Sequence, residues 1–504
     1  LVNPKHRNER KTHMALITSY QYPGLYVEDH SIDVPLDWRG LDPMLLAVGS
    51  TMRRGAMPAP IAGAPESIKL FYRVVCAPDR INDDLPLLLF LQGGPGGESP
   101  RPLSPTSDGW IEEAVKHFRV VLPDQRGTGR SNCVDGRTIK ALGDRATAAG
   151  ADTARSQADF LKRHLASSIV RDFEYLRLVG FGGKPWVTLG QSYGGFLTLS
   201  YLSLFPEGVA ASFTCGGIPH VPASASEVYA HTFPRMAAKT QQYYDRYPAD
   251  VERVAALADA LEAQKPVLPD GSPMTVERLQ LMGSDFGMKP SFERMHWIID
   301  HAFVDGDGTL TCDASVSDSL LMRAFERTNT RTNPLYWTLQ EFIYADGDTM
   351  PIRWAAAEEK AHRAEFDTLA RPLMFTGEAM FPWMFEQMPE LKPFKPAMDL
   401  LMDYDWPGNV RELQNAVESA MNAADSPILR RRDFRQLEQR MQARRRRQLT
   451  GPGDFKLRPA RQAFERELIR DALAAAGGNR VKAAALLDIS RTVLYEKMEQ
   501  YQLK

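Results

Sequence analysis

The sequence predicts an α/β fold that carries a helical cap and is followed by an all-α C-terminal region. Apolar runs alternate with helical patterns up to about residue 219, a helical stretch without strand-like runs covers residues 220–365, and only helices and linkers follow residue 397. Alternating strands and helices are typical of a mostly parallel sheet covered by helices on both faces. With 504 residues, 43% of them hydrophobic, the chain can bury more than one core.

Three apolar runs are the candidate strands, at residues 85–92, 118–124 and 185–190. The last run leads into a G-x-S-x-G motif at residues 190–194, and an apolar helix follows directly. Such a turn between strand and helix exposes a serine hydroxyl, here that of Ser192, as a nucleophile. The backbone N–H of Tyr193 and the helix N-terminus would then stabilise a developing oxyanion.

Two polar loops follow the other candidate strands. Residues 91–97 read LQGGPGG, and glycines such as Gly94 would let backbone amides approach a substrate closely, which makes this loop the second candidate oxyanion donor. Residues 124–131 read DQRGTGRS and follow the run at 118–124. All three motifs would therefore lie at the same end of the sheet.

The motifs GGPG, DQRGTGRS and GQSYGGF, in this order and spacing, resemble the proline iminopeptidase family, which consists of serine aminopeptidases with an α/β-hydrolase fold. The resemblance extends from about residue 20 to about residue 395. It implies release of an N-terminal proline from peptides. In that family acidic side chains of the cap bind the free α-ammonium group of the substrate, and Glu341 and Glu378 stand in the matching stretches.

Two members of the catalytic triad, the Asp or Glu and the His, are not found in this sequence at the positions that the fold requires. In this fold the triad follows the chain order Ser, then Asp or Glu, then His. Every histidine after Ser192 falls within or at the end of the candidate cap, and none follows His362. In the resembled family the Asp and His lie on the last strands of the sheet, beyond residue 395 here. We therefore expect a sheet without its final strands and a domain with little or no peptidase activity.

The sequence changes character at about residue 397. Residues 397–504 carry 20 Lys and Arg against 15 Asp and Glu, whereas residues 1–396 carry 41 against 48. A run of arginines at 444–447 adds to this basic excess, which indicates either a polyanionic partner or a solvated basic linker. The predicted domains are a hydrolase core (residues 14–219), a helical cap (220–365), a truncated return to the core (366–396), a lid-like helical region (397–447), a linker (448–459) and a DNA-binding domain (460–504).

Residues 405–415, DWPGNVRELQN, resemble the end of the AAA+ module in bacterial sigma-54-dependent activators, where this arginine senses a nucleotide phosphate. Arg411 would hold that position. The chain has no G-x-x-x-x-G-K-[ST] motif that could hold the phosphates, so we expect Arg411 to be an orphan and the protein to bind no nucleotide cofactor. Four widely spaced cysteines form no CxxC pair, so no metal site is expected.

The last 45 residues predict three helices, over 464–476, 480–487 and 491–500, with a glycine stop at 477–478 and a Ser490 cap. Ala484, Ile489 and Leu494 would point inward at helix-turn-helix spacing, and the segment resembles the Fis-type DNA-binding domain of the same activators. Candidate contacts to duplex DNA are Arg480, Arg491, Thr492, Tyr495 and Lys497. The first helix would supply a homodimer face through Leu468, Ile469, Ala472 and Leu473.

Three hypotheses follow for the whole chain. The first is a DNA-binding protein whose hydrolase-like domain is inactive or senses a ligand. The second is a working aminopeptidase in which cap residues or a partner chain replace the missing Asp and His. The third is an artefact of genome assembly without a selected function. The sequence shows no secretory signal and no apolar run long enough to span a membrane, so a cytoplasmic location is expected.

Overall fold

The computed structural model describes residues 15–49, 59–217, 224–304, 315–344 and 351–403, and in the C-terminal region residues 469, 473, 476, 480, 482, 484, 487 and 489–501. These residues belong to two compact units, which are treated separately below. The first unit contains the sheet and the cap, and the second contains the C-terminal helices.

The described part of the first unit holds one seven-stranded sheet in the order β1-β2-β3-β5-β4-β6-β7. Its strands are β1 (Ala15–Tyr22), β2 (Leu25–Pro35), β3 (Ser67–Cys76), β4 (Leu87–Leu91), β5 (Arg119–Pro123), β6 (Trp186–Gln191) and β7 (Val209–Cys215). The three strands expected from apolar runs are confirmed as β4, β5 and β6. They lie side by side in the middle of the sheet, where every residue of β4 is buried.

The sheet is mixed, whereas the sequence predicts a mostly parallel one. The pairs β5–β4, β4–β6 and β6–β7 are parallel, but β1–β2, β2–β3 and β3–β5 are antiparallel. The antiparallel part begins with a hairpin in which only Pro23 and Gly24 join β1 to β2, and Gly24 has a φ of 82°. A two-residue turn with a positive φ returns the chain at once, so the paired strands must run antiparallel.

Helices cover both faces of the sheet. They are α1 (Pro43–Ala47), α2 (Ile111–His117), α3 (Gly136–Ala148), α4 (Thr153–Leu161), α5 (Ala166–Gly180) and α6 (Tyr193–Leu204). On one face Ile111 and Val115 of α2 pack with Leu88 and Phe90 of β4. On the other face α6 packs against β4, β6 and β7. Apolar side chains of β4 are therefore buried on both faces of the sheet.

The segment after β7 forms the expected helical cap. Its helices are α7 (Ala225–Arg246), α8 (Ala249–Gln264), α9 (Val276–Leu281), α10 (Phe292–Asp300), α11 (Asp318–Thr328), α12 (Pro334–Leu339) and α13 (Ala355–Ala361). A large buried cluster joins α7 to α11, with Tyr243, Leu257, Leu279, Met295 and Leu320 among its members.

The segment after α13 was expected to return to the hydrolase core, and it packs on both the cap and the core. Leu373 and Phe375 belong to the buried cluster of the cap, and the hydroxyl of Tyr244 donates to the carbonyl of Leu373 at 2.7 Å. The chain then forms α14 (Met384–Gln387) and α15 (Lys395–Met402), and α15 packs against α4 of the core. Helix α15 thus crosses the expected boundary at residue 397 without a break.

Strand β7 is an edge of the sheet within the described residues. It pairs only with β6, and the side chain of Phe213 is 49% exposed. No further strand follows β7 in the described residues, where only isolated bridges occur. Nor does any described helix combine the length and apolar character that a membrane span requires.

The second unit is a small helical module with its own core. Ile469, Ala484, Leu494, Met498 and Tyr501 are buried together, with Leu473, Ala476, Leu487 and Ile489 packed against them. The expected inward positions Ala484, Ile489 and Leu494 are thereby confirmed.

Helix α16 (Arg491–Gln500) of this module has the predicted bounds. The Ser490 hydroxyl accepts a hydrogen bond from the backbone N–H of Val493 at 3.2 Å, so Ser490 caps the helix as expected. Of the predicted dimer face, Ile469 and Leu473 pack in the module's own core, and dimerisation stays a prediction. Leu468 and Ala472 lie outside the described residues.

Candidate active site and nucleic-acid interface

Ser192 lies in a sharp turn between β6 and α6. Its backbone has φ 55° and ψ −119°, a conformation that non-glycine residues rarely adopt and that costs about 1–3 kcal/mol. The Ser192 N–H donates to the carbonyl of Cys215 at 2.9 Å, and its carbonyl accepts from the N–H of Gly195 at 2.9 Å. The turn is therefore held by β7 and by the first turn of α6.

Three positions around Ser192 must be glycine, because neighbouring backbone atoms come too close for a side chain. A Cβ on Gly194 would overlap the carbonyl oxygen of Leu91, and a Cβ on Gly195 would overlap that of Gly217. A Cβ on Gly190 would overlap the carbonyl oxygen of Gly194. The motif thus brings the turn against β4 and the end of β7, which fixes the position of the serine.

The two candidate oxyanion donors lie beside the serine. Tyr193 is the first residue of α6, where the positive end of the helix favours a negative charge. A Cβ on Gly93 would lie 3.0 Å from the Cβ of Ser192, so the loop that contains Gly94 borders the nucleophile. Gly94 itself has a φ of 120°, which the absence of a side chain permits.

The cap closes over this loop through α12. A Cβ on Gly96 would contact Asn333, Leu335 and Tyr336. The Asn333 side chain accepts from the N–H of Tyr336 at 3.1 Å and so caps α12. The start of α12 is therefore fixed against the candidate oxyanion loop.

Glu341 follows α12 and is 1% exposed. Its Oε1 accepts from the N–H of Ala356 at 3.0 Å, while its Oε2 has no hydrogen-bond partner among the described residues. Burial raises the pKa of Glu341 to about 8, against the effect of backbone hydrogen bonds from Ala356 and Ala355. A cation beside Oε2 would lower the pKa of Glu341 again, because it favours the charged carboxylate.

Three tyrosines surround the two glutamates expected from the resemblance. The hydroxyl of Tyr336 is hydrogen-bonded to Glu378. Burial, followed by the charges of Glu378 and Glu341, raises the pKa of Tyr344. Burial also raises the pKa of Tyr229 well above its usual value, and Glu341 is the largest charge acting on it. We call the set of Tyr229, Tyr336, Glu341, Tyr344 and Glu378 the acid-tyrosine pocket.

A path of aromatic rings connects this pocket to the serine turn. The ring centroids of Tyr344 and Phe196 are 5.9 Å apart, and those of Phe196 and Tyr193 are 5.8 Å apart. Tyr193 directly follows Ser192 in the chain. The structure thus brings four of the predicted residues, Ser192, Tyr193, Glu341 and Glu378, to one region between core and cap.

The cap contains an Asp–His pair, but it is bonded within the cap. His296 Nδ1 lies 2.8 Å from the Asp250 carboxylate, the arrangement that orients the base in a catalytic triad. Asp250 also accepts from the Tyr243 hydroxyl at 2.5 Å, and His296 stacks on Tyr247 at 4.1 Å. Three other described histidines follow Ser192, and all are exposed: His231, His301 and His362. Among the described residues, no hydrogen bond joins the Ser192 hydroxyl to a histidine.

His164 is buried beneath the loop at residues 124–131. Burial, followed by the charge of Arg126, lowers its pKa to about 3, so the ring is neutral at physiological pH. Its Nδ1 lies 3.0 Å from the carbonyl of Phe160, and a Cβ on Gly127 would contact the ring. These contacts give His164 a packing role under the loop. The described residues contain no group of three or more His, Cys, Asp or Glu side chains that could hold a metal ion.

The C-terminal module presents a basic face at the start of α16. The guanidinium of Arg480 lies 5.3 Å from the ring centre of Tyr495, and Tyr495 is hydrogen-bonded to Arg480 and Arg491. These bonds, the one from Arg480 first, lower the pKa of Tyr495, which is 43% exposed. Lys497 follows Tyr495 by two residues, and its Nζ lies 6.0 Å from the ring centre of Tyr501.

Two predicted site residues cannot be placed. Arg411 lies outside the described residues, and so does the side chain of Thr492. Three residues of the acid-tyrosine pocket escaped the sequence analysis: Tyr336 and Tyr344, which lie close to Glu341 in the chain, and Tyr229, which belongs to α7 and precedes Glu341 by more than a hundred residues. No local motif marks Tyr229.

Family models match three parts of the chain. The model described as alpha/beta hydrolase fold matches residues 86–260, and the AAA+ ATPase lid domain matches residues 385–450. The model for bacterial regulatory proteins of the Fis family matches residues 460–501. The match to the lid domain begins before residue 397, where the sequence analysis placed the change.

Curated relatives match the two ends of the chain separately. The proline iminopeptidase of Aeromonas sobria is 38% identical over 392 residues, which are 77% of this chain and 81% of that protein. The proline iminopeptidase aneH of Aspergillus aculeatus is 32% identical over 366 residues, 71% of this chain and 76% of that protein. The transcriptional regulatory protein ZraR of Salmonella typhi is 36% identical over 111 residues, 22% of this chain and 24% of the regulator.

Among solved structures, VinJ is 16% identical and covers 72% of this chain and 94% of its own, with a TM-score of 0.25. Acetyl xylan esterase 1 from Thermoanaerobacterium sp. is 18% identical, and the match covers 47% of this chain and 61% of the esterase, with a TM-score of 0.24. The two proline iminopeptidases are the stronger finding, since they share sequence with this chain over 81% and 76% of their length. Through its N-terminal three quarters, the chain belongs to the proline iminopeptidase family, and it joins this hydrolase region to an AAA+ lid and a Fis-type helix-turn-helix.

Proposed function

We propose that the hydrolase domain binds peptides with an N-terminal proline and hydrolyses them slowly or not at all, while the C-terminal module binds duplex DNA. The observation that carries the first part is the buried Glu341, whose Oε2 has no hydrogen-bond partner in the part of the chain that the structure describes. An unpaired buried polar atom is costly unless a ligand satisfies it. A cationic group is the ligand that a carboxylate oxygen prefers.

The surroundings of Glu341 favour an N-terminal proline. The pocket offers the carboxylates of Glu341 and Glu378 to an ammonium group, and aromatic faces to the apolar pyrrolidine ring. The ring path through Tyr344 and Phe196 leads towards Ser192, where the following peptide bond would lie. The names of the relatives, proline iminopeptidase, agree with this assignment.

Slow turnover is proposed because no histidine among the described residues is hydrogen-bonded to the Ser192 hydroxyl. Removing the base of a serine–histidine pair costs about 10⁶ in kcat in a well-studied protease, while the oxyanion hole and binding alone retain about 10³–10⁴ over water. The described histidines nearest in sequence are exposed or bonded within the cap. The domain would therefore retain binding and lose most of its rate.

The test is hydrolysis of a proline arylamide by the full chain and by its Ser192→Ala variant. We expect both proteins to release product at the same negligible rate while both bind prolinamide. Turnover above about 1 s⁻¹, within the ordinary range of enzymes, that disappears in Ser192→Ala would show a working aminopeptidase whose base comes from elsewhere.

DNA binding is supported by the basic face of the module. Arg480, Tyr495 and Arg491 are exposed together at the N-terminal end of α16, which is the part of a recognition helix that enters the major groove. Guanidinium groups suit both phosphates and guanine edges. If these basic residues served only to keep the module in solution, the module would bind no duplex.

Fluorescence anisotropy with a labelled duplex at two salt concentrations tests this part. We expect affinity to fall steeply as salt rises, because phosphate contacts release counterions. Arg491→Ala should reduce discrimination between sequences if Arg491 reads a base, whereas Lys497→Ala should weaken all sequences alike if Lys497 contacts phosphate. Absence of binding at low salt by the folded protein would remove the DNA-binding proposal.

A further inference from the structure

Strand β7 carries backbone groups on its outer side that have no partner among the described residues. The strand pairs with β6 on one side only. The carbonyl of Cys215 accepts from the N–H of Ser192, so the backbone groups of Cys215 face β6. Along a strand, the N–H and C=O groups of successive residues point to opposite sides. Those of Phe213 therefore also face β6, and those of Ser212 and Thr214 face away from the sheet.

This outer side has none of the features that keep a sheet edge from pairing with another strand. The sequence of β7, VAASFTC, contains no charge and no proline. Its register with β6 shifts only at the start, between Val209 and Ala211, so the remaining residues continue as a regular strand. The ring of Phe213 is exposed on this regular part. A regular, uncharged edge is a template for a further strand.

The regular part of β7 is complementary to a second copy of itself. A two-fold axis beside Phe213 would set two copies of the strand antiparallel. Ser212 of each copy then faces Thr214 of the other, and each of these two pairs exchanges two backbone hydrogen bonds. Phe213 faces its own copy in a non-hydrogen-bonded pair, where opposite side chains are closest. The pairing thus satisfies the outward backbone groups and takes both exposed rings out of water.

We infer that β7 is a homodimer interface, in which the strands of two copies pair antiparallel about Phe213 and join the two sheets into one. A second copy fits this edge because the strand offers the same small, uncharged residues and the same aromatic ring from both sides. The interface is isologous, so it closes at two copies. This inference does not depend on peptide binding.

The C-terminal module gives a second reason to expect two copies in one particle. Helix-turn-helix proteins that bind as dimers read two half-sites of a duplex. The residues Ile469 and Leu473, which the sequence analysis placed in a dimer face, pack in the module's own core. Pairing through β7 would bring two modules into one particle without using these residues.

Sedimentation velocity of the full chain over a wide range of protein concentration is the first test. We expect a reversible change from monomer to dimer as concentration rises. Phe213→Lys should raise the dissociation constant of the dimer by about tenfold or more, because it removes the ring pair and sets two ammonium groups opposite each other. Leu369→Lys is the matched control, since it adds the same charge at an exposed apolar residue of another segment and should leave the dimer unchanged.

A disulfide tests the register and does not rely on a lysine variant that folds. In a chain whose Cys133, Cys215 and Cys312 are replaced by serine, Phe213→Cys places two thiols opposite each other, with Cα atoms about 4.5 Å apart. This separation lies within the range of natural disulfides. We expect mild oxidation to join two chains through this position. Thr214→Cys in the same background is the control, because Thr214 faces Ser212 of the second copy and should stay reduced.

Four results would overturn the inference. A full chain that stays monomeric at every concentration would mean that a second copy does not occupy the edge. A dimer that Phe213→Lys leaves unchanged would form through another surface, such as the C-terminal module. Growth beyond the dimer would indicate head-to-tail pairing of β7 with the opposite edge strand, β1, which does not close. Equal cross-linking of Phe213→Cys and Thr214→Cys would exclude the register centred on Phe213.

Discussion

Glu341 is a carboxyl group that the fold holds away from water, and this makes stability depend on pH. Burial raises its pKa to about 8 from an ordinary value of 4.5. Between these two values the folded protein keeps a proton that the unfolded chain releases. The stability that this proton provides is therefore complete below about pH 4.5 and is lost as pH rises through about 8.

The variant Glu341→Gln should remove this pH dependence, because an amide does not ionise and its oxygen can still accept from Ala356. We expect the melting temperature of Glu341→Gln, relative to wild type, to rise by several degrees between pH 5 and pH 9, equivalent to about 4 kcal/mol. Glu358→Gln serves as the control, since Glu358 is exposed and only adds repulsion to Glu341. A constant difference across this pH range would mean that Glu341 is solvated.

The serine turn is the element whose geometry depends most on glycine. Gly194→Ala places a methyl group against the carbonyl oxygen of Leu91, so β4 or the turn must move. We expect it to lower stability by about 1–3 kcal/mol, the usual cost of overpacking, and to weaken prolinamide binding. Gly287→Ala is the control, because a Cβ there contacts nothing within 4 Å. Equal melting temperatures for the two variants would contradict the described turn.

Strand β7 exposes an edge that charged residues do not protect. Its sequence VAASFTC contains no charge and no proline, and Phe213 is exposed. Such edges pair with other chains. We expect the fragment 14–403 to associate as its concentration rises, and Phe213→Lys to reduce this association in sedimentation velocity. A monodisperse wild-type fragment that unfolds cooperatively would argue that the edge is covered.

The sequence analysis predicted those elements whose signals are local. Strands β4, β5 and β6 appear as continuous apolar runs because they are buried on both faces, and the serine turn has its own motif. The antiparallel strands β1 to β3 were missed, although only β2 shows an alternating burial pattern, so the sheet was expected to be more parallel than it is. Ile469 and Leu473, which were predicted to lie in a dimer face, pack in the core of the module, and the dimer itself stays a prediction.

At the scale of the whole molecule, the candidate site is complete only through contacts between residues that are far apart in the sequence. Glu341 and Glu378 were found through the resemblance, whereas Tyr229 joins them only because α7 packs beside α13 in the cap.

The two units of the chain match different families, and helix α15 runs through the expected boundary between them. Sequencing native genomic DNA across codons 390–410 should give one continuous reading frame. A break there would show that the joined chain is an assembly artefact.

The central claim is that one chain carries both a peptide pocket and a DNA-binding module. Two-colour sedimentation velocity tests it, with the full chain, a fluorescent duplex at low salt and a prolyl peptide carrying a second label. The account predicts that both labels sediment with the protein and that the peptide stays intact, since Ser192 is proposed to act without a general base. A duplex or a peptide that stays behind while the protein sediments, or rapid cleavage of the peptide, would contradict it.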